Sequence, residues 1–114
     1  MSTASVPASS FAEWLRSFRE QRGLVLRDVA EATHLDFTLL SRFETGQRMP
    51  TEEQADQLAK FFKSNAKEAH ALRIAGQFRK KFADHPAARA AILRLAEEEG
   101  IYHVTQKRKT ANGR

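Results

Sequence analysis

Apolar residues recur along this chain at helical spacing, and no segment alternates with the period of a strand. Phe11, Leu15 and Phe18 share one face, with Trp14 beside them. Ser10-x-x-Glu13 ahead of that face reads as a capping box: the serine hydroxyl takes one orphan N–H and the glutamate reaches back for another. Gly23 ends the helix, because glycine tolerates a left-handed backbone. Leu26, Val29 and Ala30 repeat at i, i+3, i+4 and predict two turns over Leu26–Thr33. Thr33-His34-Leu35 is a turn. Asp36 is the N-cap of the next helix, Phe37 to Thr45, with Leu40 and Phe43 inward, Leu39 at the edge and Gly46 as the stop. The loop Gln47-Arg48-Met49-Pro50 leads into Thr51-x-x-Gln54, a second capping box, and a helix that buries Ala55, Leu58, Ala59 and Phe62. Ser64 or Asn65 opens a fifth helix with Ala69, Leu72 and Ile74 as apolar positions, ending near Gly76. Gln77–Phe82 reads as one more short helix. Asp84-His85-Pro86 starts the last, Ala87 to Glu99, with a stripe of Ala88, Ala91, Ile92 and Leu95, closed by Gly100. The fold class is all-α: a core domain over residues 10–76 and a helical extension over 77–104. Residues 1–9 and 105–114 cannot bury enough to order themselves and read as flexible ends.

Composition changes this picture little, and charge changes it more. The 114 residues are 41% hydrophobic and 29% charged, enough for one modest core. The formal charge of +5 is unevenly placed. Residues 11–50 hold six cations and six anions, residues 51–76 four of each, and residues 101–114 four cations and no anion. A uniformly basic domain is therefore excluded. With no cysteine there is no disulfide framework and no thiolate zinc site. No apolar run approaches the ~20 residues a membrane span needs. Met1–Ser10 lacks the features of a secretory signal, so a cytoplasmic protein with no membrane association is expected.

The stretch from Leu26 to Gly46 is the informative one. A two-turn helix, a short turn and a capped helix make the helix-turn-helix pattern. Ala30 is small where the two helices cross, Leu35 plugs the angle between them, and Leu40 and Phe43 anchor the second helix. The opposite face of that helix is then free to enter a major groove about 12 Å wide.

Here the residues resemble a known family. Arg19-x-x-Arg22-Gly23-Leu24, then Val29-Ala30, then Leu40-Ser41-x-Phe43-Glu44-x-Gly46-x-x-x-Pro50 is similar to the Cro/repressor-type helix-turn-helix domain, also called the XRE or lambda-repressor-like family. The similarity covers Phe11 to Gly76. It implies a five-helix DNA-binding domain in a bacterial or phage transcriptional regulator, a repressor that binds double-stranded operator DNA as a homodimer. It implies that Phe37, Thr38, Leu39 and Arg42 face base edges, Arg42 because a guanidinium can fork onto guanine O6 and N7. It implies backbone contacts from Ser41, Thr45, Gln47 and Arg48, and a structural salt bridge between Arg19 and Glu44. The chain departs from the family where Val25 and Leu26 replace a hydroxyl residue and a glutamine that contacts phosphate; Arg27 is the substitute. His34 stands where glycine is usual, and histidine is among the residues that tolerate positive φ. Phe37 either packs on thymine methyls or covers the helix edge.

Outside that stretch the candidates are weaker. Relatives often carry a dimerising extension, and Phe78, Phe82, Ile92 and Leu95 supply apolar area for a dimer or partner interface, with Trp14 adding to it. Folding back onto the monomer core is the other reading. An antitoxin or adaptor that holds a toxin, protease or other protein through these helices is the alternative function. The basic end, Lys107-Arg108-Lys109 and Arg114, either follows phosphates or merely solubilises. His34, His70, His85 and His103 show no metal-ligand spacing, and Glu97-Glu98-Glu99 fans around a helix. No catalytic set or phosphate loop appears, so neither enzyme activity nor a cofactor is expected.

Overall fold

The computed structural model describes residues 10–100 of the chain. The lead-in over 1–9, the short apolar stretch Ile101–Val104 and the basic end lie outside the described residues. Within them the chain forms six helices and no strand: α1 (Phe11–Gln21), α2 (Leu26–Thr33), α3 (Phe37–Glu44), α4 (Glu52–Phe62), α5 (Ala66–Phe82) and α6 (Ala88–Glu98). The expected all-α class and helix-turn-helix domain are present.

Local chemistry sets the helix ends. Ser10 Oγ accepts from the Glu13 N–H at 3.2 Å, and Asp36 Oδ2 accepts from the Leu39 N–H at 3.1 Å. Thr51 and Gln54 close a reciprocal box at 3.1 and 2.9 Å. α2 starts differently. Val25 has no side-chain acceptor, and Asp28 supplies the other half of a box by accepting from the Val25 N–H at 3.0 Å. Asn65 opens α5, its Oδ1 accepting from the Lys67 N–H at 2.9 Å. Gly23 and Gly46 follow α1 and α3 at φ +66° and +79°. Thr45 caps α3 instead of extending it.

The core is built from one face of each of the first five helices. Phe11, Trp14, Leu15, Val29, Leu40, Phe43, Ala55, Leu58, Ala59, Phe62 and Ala69 are buried together. Aromatic rings dominate it: Phe11 and Trp14 stack at 5.1 Å between centroids, Trp14 meets Phe18 edge-on at 5.2 Å, and Phe18 stacks on Phe62 at 5.4 Å. Trp14 is only 3% exposed. The expectation that it contributes to an interface is thus corrected: its ring is core, and its indole N–H is buried without an acceptor among the described residues. Arg22 lies over the Phe18 and Phe62 rings and donates to the Phe62 carbonyl at 2.6 Å, closing the C-terminus of α4.

The C-terminal half of the domain differs from expectation. The helix expected to stop near Gly76 continues unbroken to Phe82, and the division between two compact units falls after Lys81. Gly76 is not a cap here. A Cβ at this position would stand 2.6 Å from Met49 Cε, so the missing side chain lets Met49 pack on the helix backbone. Ile74, expected inward, is exposed; Ala69 is buried and Leu72 half-buried. α6 begins one residue late and ends one early, and none of its residues is buried.

Candidate functional site

The two helices of the motif meet through a turn with a specific geometry. His34 takes up φ +63° after α2, which lets the chain reverse, and Thr33 holds the reversal. Thr33 is buried; its hydroxyl donates to the Val29 carbonyl at 2.7 Å and accepts from the Leu35 N–H at 3.4 Å. Leu40 and Phe43 then anchor α3 to the core. At 100° per residue, Phe37, Thr38, Ser41, Arg42 and Thr45 fall within an arc of about 140° on the other side. Four of these five are exposed and Ser41 is half-buried. Leu39 is not part of that arc. It is half-buried and packs against the core, so its expected place among base-facing residues is not where its side chain lies.

Glu44 fixes the other end of α3. It is 7% exposed and accepts from Arg19 Nε at 2.6 Å and Arg19 Nη2 at 2.9 Å, a two-pronged ion pair joining α1 to α3. The hydrogen bond to Glu44 raises the Arg19 pKa above its ordinary value. Burial opposes this, and the charges of Glu44 and Glu20 add to it. Arg19 Nη1 also donates to the Leu24 carbonyl at 2.9 Å. Arg16, one turn before Arg19, donates from Nη2 to the Glu44 backbone carbonyl at 2.9 Å, a cation at the C-terminal end of α3. Sequence reading missed Arg16; its i, i+3 spacing from Arg19 was the available signal.

Past α3 the loop is tied back. The Arg42 carbonyl accepts from the Gln47 N–H at 2.9 Å, the Arg48 N–H at 3.2 Å and the Thr45 hydroxyl at 3.2 Å. Three backbone-contact candidates are thereby gathered beside the recognition-helix candidate Arg42. Arg27, on the first turn of α2, lies over the Phe37 ring at 5.7 Å.

This geometry sorts the six arginines of residues 11–50, which composition counts alike. Among the described residues, Arg16, Arg19 and Arg22 spend their guanidinium groups on Glu44, Leu24 and Phe62. Arg27, Arg42 and Arg48 are exposed, and no hydrogen bond or ion pair of their side chains is formed within the described residues. In the extension, Phe78 is half-buried and Phe82, Ile92 and Leu95 are exposed. The described residues contain no metal-ligating cluster and no helix long and apolar enough to cross a membrane.

A family model described as a helix-turn-helix domain matches residues 10–72, more than half of the chain. No curated protein and no solved structure matches the sequence.

Proposed function

Because the chain belongs to the helix-turn-helix domain family, we propose that it is a sequence-specific regulator of transcription that binds double-stranded DNA, a repressor acting as a homodimer. The observation that carries this reading is the disposition of arginines. Of the six arginines within residues 11–50, Arg27, Arg42 and Arg48 have unspent donors and flank or occupy the exposed arc of α3, while Arg16, Arg19 and Arg22 are engaged within the fold. In this reading α3 lies in the major groove. Arg42 and Thr38 face base edges, with Phe37 at the start of the same arc; Arg27, Ser41, Thr45, Gln47 and Arg48 face the sugar-phosphate backbone. Leu39 supports the helix from its core edge. Two copies would present α3 to successive major grooves about 34 Å apart.

The test begins with mapping the genomic sites that the purified chain binds. Arg42→Ala should then lose ~1–3 kcal/mol of discrimination between a mapped site and random duplex. Unchanged discrimination would remove Arg42 from base reading. Half-sites one helical turn apart would support the homodimer. A second reading, an antitoxin or adaptor, draws on the exposed Ile92, Leu93 and Leu95 of α6. It requires a stoichiometric partner protein on purification; a clean homodimer bound to its own promoter counts against it.

A further inference from the structure

Arg27 sits where an α-helix does not recommend a cation. It is the second residue of α2, at the end where the macrodipole is positive and an anion is favoured. Its natural ion-pair partner would be Glu31, four residues on. That order, cation before anion, is the weaker one on a helix, and no such pair forms among the described residues. The neighbouring Asp28 is already engaged with the Val25 N–H, and Asp36 with the Leu39 N–H. What holds the guanidinium is a ring from the other helix of the motif. Phe37, 46% exposed at the first position of α3, lies under it at 5.7 Å. An aromatic face restrains a guanidinium without using any of its N–H donors, so the whole fork remains available to an anion.

We propose that Arg27 and Phe37 form one phosphate-recognition unit, in which Arg27 contacts a DNA phosphate and Phe37 is a positioning residue acting through it. This rests on the DNA-binding reading above and gives Phe37 a role other than reading a thymine methyl. A flexible arginine loses rotamer freedom on meeting a phosphate; a ring that orders it beforehand removes part of that cost. The unit also bridges α2 and α3, so the phosphate contact is registered to the start of the recognition helix. It replaces the polar pair that Val25 and Leu26 cannot provide.

The test uses the full-length chain and a duplex enriched from a random-sequence pool by the unmodified protein. Affinity is measured by fluorescence anisotropy from 50 to about 300 mM salt. Arg27→Ala should reduce the slope of log K against log salt by about one. Phe37→Leu, which keeps an apolar side chain but removes the ring face, should weaken binding about two- to five-fold. Phe37→Tyr should bind as the parent does. In the Arg27→Ala background, Phe37→Leu should have no further effect. Trp14 emission and the urea midpoint should match across the set, since both positions are exposed. An undiminished Phe37→Leu effect without Arg27 would overturn the proposal. So would an unchanged salt slope in Arg27→Ala, or a loss reproduced simply by replacing one thymine with uracil, which would make Phe37 a direct base reader. If the parent chain enriches no duplex, the DNA-binding reading falls and this proposal with it. If duplexes are enriched but the two substitutions act additively, only this proposal falls.

Discussion

Replacing Arg19 by alanine tests whether the α1–α3 ion pair holds α3 in place. Glu44 is 7% exposed with Arg19 in place, and the substitution leaves its carboxylate with Arg16 Nε at 3.9 Å as the remaining cation. Removing one partner of a buried pair costs ~3–5 kcal/mol, because the other charge stays desolvated and uncompensated. Arg16 is half-exposed and already bound to the Glu44 carbonyl, so it offers partial relief and places the expected loss near ~3 kcal/mol. For a domain of this size that is roughly 12–24 °C in Tm. Trp14 is the only tryptophan and lies in the core beside Phe11, Phe18 and Phe62, so its emission reports urea unfolding directly. The double substitution Arg19→Met with Glu44→Leu removes both charges and should return to within about 1 kcal/mol of the parent. A loss below about 1 kcal/mol for Arg19→Ala would put the pair among ordinary surface ion pairs. A double variant no more stable than the singles would show that shape, not charge compensation, is what the pair supplies. Either result refutes the reasoning.

Three further outcomes follow from the same structure. The raised Arg19 pKa means its stabilisation is fully present below its unfolded value and is lost only as pH rises through the folded value. The urea midpoint should therefore show no fall between pH 7 and about 10 that Arg19→Met abolishes. Gly76→Ala should be near neutral, the helix gain of about 1 kcal/mol being offset as Met49 moves aside, and it should stabilise by about 1 kcal/mol once Met49 is alanine; a sign that ignores Met49 would contradict the packing. His34→Gly should raise stability by about 1 kcal/mol in the same assay, since glycine removes the left-handed strain at φ +63°; a loss would mean the imidazole makes a compensating contact.

Much of the fold was legible because it is local. The i, i+3, i+4 pattern gave α2 its observed bounds, and Thr51-x-x-Gln54 marked the start of α4. The errors share a cause: the deciding atom lies far along the chain. Gly76 looks like a stop until Met49, 27 positions earlier, is seen to occupy the space its side chain would need. Trp14 looks like surplus apolar area until Phe62 closes over it at 6.1 Å. The Arg19–Glu44 pairing spans 25 residues; only resemblance suggested it, and no spacing rule reaches that far. The candidate site was legible in part. Asp36, Arg42 and Arg48 follow from the motif, but the fate of each arginine depends on tertiary partners such as the Phe62 carbonyl and the Phe37 ring.

That sorting has a consequence for how steeply DNA binding should respond to salt. Residues 11–50 have no net charge, so composition alone foretells no electrostatic attraction. The anions, however, are not spread evenly over the surface. Glu44 is buried against Arg19, and Asp28 and Asp36 are each bound to an N–H at a helix start, where the positive end of the dipole partly offsets them. If Arg27 and Arg48 each neutralise one phosphate while Arg42 reads a base, log K should fall with log salt with a slope of about −2 per protomer, at ~0.9 per phosphate. Were all six arginines of this stretch at phosphates, the slope would be about −5. A titration from 50 to about 300 mM salt separates the two without knowledge of the operator. A value near −5 would refute the structural use of Arg16, Arg19 and Arg22. An excess that disappears on truncation after Val104 would instead belong to Lys107, Arg108, Lys109 and Arg114, leaving the smaller slope as the signature of the helix-turn-helix itself.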